Sequence, residues 1–230
     1  MRIIAGKWRS RRIEHPPTVR TRPMPDRVRE AVFDILASWF DLPGGIPAVA
    51  VADMFAGSGS LGLEAVSRGA SGCDFFERAG SALATLKSNL HDLDTGPECR
   101  VLRVNAWTCP LTTPRPPSPY GILFVDPPYA DARDTSPTGR VPRLLNDLYL
   151  AAWAAGESVV VLHHEDRVQP DVIPGSAWCV ADRRVYGSTG ITFVTATPPP
   201  ADSRESMTAS PRDDLGSDTN APAVEGVPGG

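Results

Sequence analysis

The sequence predicts an α/β fold with a seven-stranded, mostly parallel sheet, helices on both faces and an antiparallel hairpin at its C-terminal end. Between about residues 48 and 163, short apolar runs alternate with helical patterns, which is typical of parallel strands joined by right-handed crossovers. The apolar runs are almost continuous, which indicates strands buried on both faces. Two last runs flank Gly187-Ser188-Thr189-Gly190 and predict the hairpin.

The individual helices and strands follow from local patterns. Apolar residues at helical spacing predict a first helix that begins at Asp26, a candidate N-cap. Gly69 suits the position just after a helix, and five prolines predict a loop over 108–119. The predicted helices are 26–40, 60–68, 79–90 and 141–155. The predicted strands are 48–53, 73–77, 100–104, 120–126, 158–163, 178–186 and 191–196.

Charge and composition divide the chain into three parts. Residues 1–25 form a basic arm that prolines keep extended, and residues 26–196 form the folded domain. Residues 197–230 are rich in Pro, Ser, Asp and Gly, and we expect this acidic tail to be disordered. The first forty residues hold nine basic and four acidic side chains, so the N-terminal end is basic although the net charge of the whole chain is −4. Such an end suits a polyanionic partner.

Composition also excludes several classes of protein. The four cysteines form no CxxC pair and have no matching histidines, so we expect neither a metal site nor disulfide bonds. No apolar run reaches the ~18 residues that a membrane-spanning helix needs. We therefore expect a cytoplasmic protein without a membrane partner, and we expect it to be a monomer.

A glycine-rich turn joins the first predicted strand to the second helix. Gly57, Gly59 and Gly62 let the backbone turn sharply and pass close to a ligand at a helix N-terminus. Glu77 ends the next strand, where a carboxylate can accept both hydrogen bonds of a ribose diol. This pattern also fits a dinucleotide, as in an NAD-type oxidoreductase, or a purely structural turn. Asp53 favours S-adenosylmethionine, because a carboxylate there would repel a pyrophosphate.

The second motif, Asp126-Pro127-Pro128-Tyr129, follows the fourth predicted strand. That strand adjoins the first at the point where the strand order reverses, so both turns should open into one cleft. The Asp126 carboxylate and the Pro127 carbonyl can accept the two hydrogens of an exocyclic amine on a base. Tyr129 offers a face on which an extruded base can stack. A turn with two prolines could also be only a stiff end to a strand.

With both motifs in place, the chain resembles the bacterial 16S ribosomal RNA guanine-N2 methyltransferase family, whose members have the Rossmann-like class I methyltransferase fold. The resemblance extends over about residues 1–196. It rests on the segments 1–11, 22–33, 53–65 and 124–129. The catalytic tetrapeptide also occurs in DNA adenine and cytosine amino-methyltransferases, whereas the two N-terminal segments are more specific. Met24 departs from the family, which usually has a small hydroxyl residue there.

The resemblance implies an enzyme that methylates guanine N2 in 16S rRNA or in the assembling small subunit, with S-adenosylmethionine as cofactor. The implied catalytic residues are Asp126, Pro127, Pro128 and Tyr129. The implied cofactor-binding residues are Asp53, Phe55, Gly57, Ser58, Gly59, Glu77, Asn105 and Ala106. The residues expected to contact RNA phosphates are Arg2, Lys7, Arg9, Arg11, Arg12, Arg22, Arg27 and Arg29. A DNA adenine or another RNA as the substrate remains the alternative.

Two further features of the sequence fit ordinary structural roles. His163-His164 falls at a strand end, and we expect both histidines to be solvated rather than metal ligands or bases. Tyr186 beside Gly187 is expected to pack in the core rather than to stack on a base.

Overall fold

A computed structural model describes residues 1–16 and 24–196 of the 230-residue chain. The proposed tail, 197–230, and residue Arg22 of the basic arm lie outside these described residues. In the described part of the chain, no helix has the length and apolar character needed to cross a bilayer. No cluster of three or more metal-ligating side chains occurs in that same part.

Six helices and seven strands alternate through the described residues. The helices are α1 (Asp26–Trp39), α2 (Ser60–Ser67), α3 (Gly80–Asp92), α4 (Cys109–Thr112), α5 (Tyr129–Ala132) and α6 (Arg140–Leu150). The strands are β1 (Ala50–Met54), β2 (Gly72–Phe76), β3 (Cys99–Leu102), β4 (Ile122–Val125), β5 (Val159–Glu165), β6 (Cys179–Tyr186) and β7 (Thr189–Thr195).

The strands form one sheet in the order β3-β2-β1-β4-β5-β7-β6. The first five are parallel, and β7 lies antiparallel between β5 and β6. The predicted fold class is therefore confirmed: a mostly parallel seven-stranded sheet that ends in an antiparallel hairpin. The order reverses between β1 and β4, so a crevice opens at the carboxyl ends of these two strands.

Helices cover both faces of the sheet because successive strand residues point to opposite faces. On β1, Val51 belongs to the apolar cluster that also contains side chains of α1, α2 and α3. Its neighbour Ala52 belongs to the second cluster, which contains side chains of α6. The strands are buried on both faces, as their continuous apolar runs indicate.

The N-terminal segment, defined here as residues 1–16, is packed onto the domain rather than extended from it. Ile3, Trp8 and Ile13 are buried in the cluster that contains α1. The buried carboxylate of Glu64 on α2 accepts hydrogen bonds from the backbone N–H groups of residues 4 and 5, at 2.7 and 3.0 Å. The expectation of an extended arm is wrong for this segment, because three of its apolar side chains are buried in the core and Glu64 holds its backbone.

Two local predictions are also wrong. The N-cap of α1 is Pro25, and the Asp26 carboxylate instead lies 3.0 Å from a guanidinium nitrogen of Arg29, one turn further on. The predicted loop 108–119 contains the one-turn helix α4, whose second residue is Pro110. Proline is tolerated in a first helical turn because the N–H groups there have no intrahelical partner.

Candidate active site

A cavity of about 300 Å³ lies at the carboxyl ends of the central strands. Gly57 and Ser58 of the glycine turn line it together with all four residues of the turn Asp126–Tyr129. Glu77, Asn105 and Ala106 also line it. The two motifs therefore open into one cleft, because β1 and β4 are adjacent and parallel.

The glycine turn is shaped by left-handed backbone and close packing. Gly57 and Gly59 have φ values of +56° and +80°, a region that favours glycine. A Cβ on Gly59 would lie 2.5 Å from the Leu86 Cδ1 atom of α3. Gly59 does not itself line the cleft. Because it has no Cβ, α3 can pack close to the turn. Phe55, with φ +65°, places its ring in the cleft wall.

Asp53 supports the turn from beneath. Its carboxylate is buried and accepts a hydrogen bond of 2.9 Å from the N–H of Gly62 in α2. Burial raises the pKa of Asp53 well above its ordinary value, against the hydrogen bond from Gly62 and with the charges of Asp126 and Glu77 adding to the rise. Asp53 does not line the cleft.

Glu77 stands at the end of β2 and faces the glycine turn. Its Oε2 atom accepts a hydrogen bond of 3.0 Å from the Gly57 N–H. Its Oε1 atom accepts bonds of 2.7 Å from the N–H groups of Arg78 and Ala79. The carboxylate is thus oriented by backbone donors on both oxygens. Oε1 already accepts two bonds, whereas Oε2 accepts one and keeps acceptor capacity that a ribose hydroxyl in the cleft can use.

An aromatic pair, not anticipated from the sequence, forms another part of the wall. The rings of Phe55 and Trp107 lie 4.7 Å apart, edge to face, and both line the cleft. The Arg140 guanidinium lies 5.1 Å from the centre of the Trp107 ring. Trp107 follows Asn105-Ala106 directly, and a tryptophan beside predicted cofactor residues was the available signal in the sequence.

The turn after β4 is joined to β5 by a histidine. His163 Nδ1 lies 2.7 Å from Asp126 Oδ1, and the Tyr129 hydroxyl lies 3.3 Å from His163 Nε2. Burial alone would lower the pKa of His163, but the charge and hydrogen bond of Asp126 outweigh burial and raise it. The expectation of two solvated histidines is wrong: His163 and His164 are each 4% exposed. Both residues lie within β5, where they pair with Ile191 and Gly190 of the antiparallel strand β7 rather than facing solvent at a strand end.

The N-terminal segment also contributes to the cleft. His15 and Pro16 line it, as does Met24, which precedes α1. Asn89 of α3 holds this part of the segment in place. Its side-chain oxygen accepts a hydrogen bond from the Glu14 N–H, and its side-chain nitrogen donates to the Glu14 carbonyl. The same nitrogen donates to the Ser58 carbonyl at 2.9 Å. The sequence indicated only RNA contacts for this region.

The basic residues expected to contact RNA divide into two groups. The exposed residues are Arg2, Lys7, Arg9, Arg11, Arg12 and Arg27. Arg29 is 0% exposed and donates to the Arg2 carbonyl and to Asp26, so the expectation of an RNA contact is wrong for it. Its side chain points inward from α1, where Glu64 offers a buried negative charge 3.8 Å away.

A second cavity adjoins the cleft on the side of the hairpin. Pro25 and Arg27 form one wall, and the residues from Tyr186 to Thr189 form the other. Tyr129 and His163 line both cavities. Tyr186 packs against the core cluster as expected, and it also faces this second cavity.

The fold and the cleft define the class of protein: a Rossmann-like, class I S-adenosylmethionine-dependent methyltransferase. The sheet order, the glycine turn before α2, the acid at the end of β2 and the Asp-Pro-Pro-Tyr turn after β4 occur together at the switch point.

The chain belongs to the family described as "Conserved hypothetical protein 95", whose model matches residues 1–195. It is 34% identical over 187 residues to "Ribosomal RNA small subunit methyltransferase D" of Escherichia coli K12, covering 81% of this chain and 85% of that protein. It is 29% identical over 191 residues to "Putative rRNA methyltransferase YlbH" of Bacillus subtilis, covering 83% and 96%. Among solved structures, "Putative methyltransferase yhhF" from Escherichia coli matches with a TM-score of 0.67 and 31% identity, covering 84% and 96%.

Proposed function

We propose that the protein transfers a methyl group from S-adenosylmethionine to the exocyclic N2 of a guanine in 16S ribosomal RNA of the small subunit. One observation carries this proposal: the glycine turn and the Asp126–Tyr129 turn line the same cleft. Relatives named as ribosomal RNA methyltransferases support RNA as the substrate.

The glycine-turn side of the cleft fits the cofactor. A carboxylate at the end of β2 suits a ribose diol, and the Phe55–Trp107 pair offers apolar faces beside Asn105 and Ala106 for an adenine. S-adenosylmethionine, when bound, supplies a methyl group already activated on a sulfonium. We assign the shaping of the turn to Asp53 and Gly59, and the direct contacts to Glu77, Gly57 and Ser58.

The Asp126–Tyr129 side of the cleft fits the target amine. The lone pair of an exocyclic amine is delocalised into the base, so the nitrogen must become pyramidal before it attacks. The Asp126 carboxylate and the Pro127 carbonyl accept its two N–H hydrogens and favour that geometry, while Tyr129 holds the ring. Proline at 127 and 128 removes competing N–H donors and fixes the backbone direction. Alignment of the amine with the methyl group then lowers the barrier.

The second cavity offers a path for the nucleotide. It meets the cleft at Tyr129 and His163, and Arg27 stands at its rim as an exposed cation. A base entering from this side reaches Asp126 without crossing the cofactor side of the cleft. The exposed cations of the N-terminal segment bind phosphates with an affinity that falls with salt concentration and does not depend on the RNA sequence.

Labelled S-adenosylmethionine and undermethylated small subunits test the proposal. Wild-type protein should place label in 16S rRNA, and nuclease digestion with mass spectrometry should find it on guanine N2. Asp126→Ala should abolish transfer while the Kd for S-adenosylhomocysteine stays within about twofold. Label in DNA adenine or in another RNA would refute the substrate, and stabilisation by NAD but not by S-adenosylhomocysteine would refute the class.

A further inference from the structure

His163 connects the two residues of the catalytic turn that face the substrate. Its Nδ1 atom is bonded to Asp126 and its Nε2 atom to Tyr129, so one imidazole contacts both groups. It is 4% exposed, whereas the Asp126 side chain is 35% exposed and opens to the cleft. The ring lines both cavities but is much less exposed than the carboxylate that it contacts.

Strand register places the histidine there. The last registered pair of β4 with β5 is Val125 with Leu162, and Asp126 and His163 are the next residues on the two parallel strands. Adjacent residues of neighbouring strands hold their side chains close together on the same face of the sheet. The contact thus joins a residue of β5 to the first residue of the turn after β4, at the point where the paired register ends.

The hydrogen bonds also fix which histidine atom carries a proton. Burial raises the pKa of Tyr129, with the charges of Asp126 and Glu165 adding to the rise, so its hydroxyl stays protonated near neutral pH. That hydroxyl can donate to Nε2 of a neutral ring, which places the ring proton on Nδ1. A doubly protonated ring also carries a proton on Nδ1. In both states Nδ1–H donates to the ionised Asp126.

This bond occupies one oxygen of Asp126 and leaves the other for substrate. Among the described residues, only His163 hydrogen-bonds to the Asp126 carboxylate, and it does so at Oδ1. We propose that His163 is a positioning residue for methyl transfer: it holds the Asp126 carboxylate so that Oδ2 faces the amine, and it ties that carboxylate to Tyr129. This proposal rests on the function proposed above, because it assigns His163 to the same reaction.

Two substitutions at His163 distinguish the role of Nδ1 from that of Nε2. The amide nitrogen of His163→Asn occupies nearly the position of Nδ1 and can still donate to Asp126. The amide of His163→Gln lies near the position of Nε2 and loses that donor. A hydrogen bond to a charged group contributes about 1.5–3 kcal/mol, which corresponds to about ten- to hundredfold in rate. We expect kcat of the Gln variant to fall at least tenfold and kcat of the Asn variant to stay within about fivefold of wild type.

The matched control is His164→Gln, the same change one residue along β5. His164 faces the other side of the strand and bonds Thr192, so kcat should change less than about twofold. In all three variants the KM for RNA and the Kd for S-adenosylhomocysteine should stay within about twofold, and melting temperatures should report folding. Equal losses of kcat in the Asn and Gln variants, or no loss in either, would overturn the proposal.

A measurement that needs no substrate tests the His163 contacts independently of the proposed function. In protein labelled with 15N-histidine, the imidazole signals of His163 are assigned by their absence from His163→Asn. They should report a proton on Nδ1 and should shift in Asp126→Asn and in Tyr129→Phe. If wild-type protein methylated no small subunit while these signals behaved as expected, the substrate would be wrong and the positioning contact would stand. Signals of an Nε2-protonated neutral ring would overturn the contact itself.

Discussion

Asn89 connects three parts of the structure, and its removal should loosen all of them together. The side chain is buried on α3. Its amide donates to the Glu14 carbonyl at 3.1 Å and to the Ser58 carbonyl at 2.9 Å, and its oxygen accepts from the Glu14 N–H at 2.7 Å. Asn89→Leu preserves approximate volume and removes all three hydrogen bonds.

The expected cost follows from those bonds. A typical buried hydrogen bond contributes about 1 kcal/mol, and a buried carbonyl left unpaired costs about 1–3 kcal/mol. The exposed Glu14 can form hydrogen bonds to water instead, whereas Ser58 of the glycine turn is buried. We therefore expect the free energy of unfolding to fall by about 3 kcal/mol. For a domain of this size, each kcal/mol lowers Tm by about 2–4 °C, so Tm should fall by about 6–12 °C.

Urea unfolding monitored by two probes gives the free energy, and titration with S-adenosylhomocysteine gives the effect on the cleft. The Kd should rise by severalfold, because Ser58 lines the cleft and Asn89 no longer holds it. Asn146→Leu on α6 is the matched control: its side chain is only half-buried, and the change should stay within about 0.5 kcal/mol. A loss below about 1 kcal/mol at Asn89, or an equal loss at Asn146, would refute this account.

Three other predictions, two of them with a comparison substitution, test the fold and the interface. Burial raises the pKa of Asp53, so its ionisation opposes folding. Asp53→Asn removes this ionisation, and its Tm should therefore exceed that of the wild type by an amount that grows as pH rises above about 4. Gly62→Ala should cost about 1–3 kcal/mol in urea unfolding, because its Cβ would lie 2.5 Å from two β2 side chains, whereas Gly80→Ala, with open space, should not destabilise. Arg9 is exposed, and Arg9→Ala should reduce the slope of log Kd for RNA against log salt concentration by about one. Arg29 is buried, and Arg29→Met should instead lower Tm.

The sheet, the glycine turn and the Asp126–Tyr129 turn were predictable because their signals are local. Apolar runs of strand length identify buried strands, and glycines or paired prolines identify the turns that follow them. Strand order then required only the rule that parallel α/β sheets open at their switch point. The shared cleft between Gly57 and Asp126 follows from that rule, and it is confirmed.

The histidine contact and the buried arginine were not predictable in this way. Whether His163 faces solvent or Asp126 depends on the register of β5 against β4, which no local pattern specifies. Arg29 closely follows Arg22 and Arg27 in the sequence, and only the packing of α1 against Glu64 distinguishes it from them. Trp107 likewise follows a predicted strand end, but its contact with Phe55 depends on the path of two separate loops.

The attachment of the N-terminal segment connects substrate binding to the cleft. Glu64 and Asn89 hold the backbone of this segment at residues 4, 5 and 14, and both side chains are buried. Its cations are therefore carried on a backbone fixed to the domain, and the same backbone places His15 and Pro16 in the cleft wall. On the function proposed above, we expect phosphates bound to those cations to take a set position relative to Asp126, so that RNA binding also positions the target base. The same anchoring explains why few apolar residues suffice in this segment, since buried polar groups supply the remaining attachment.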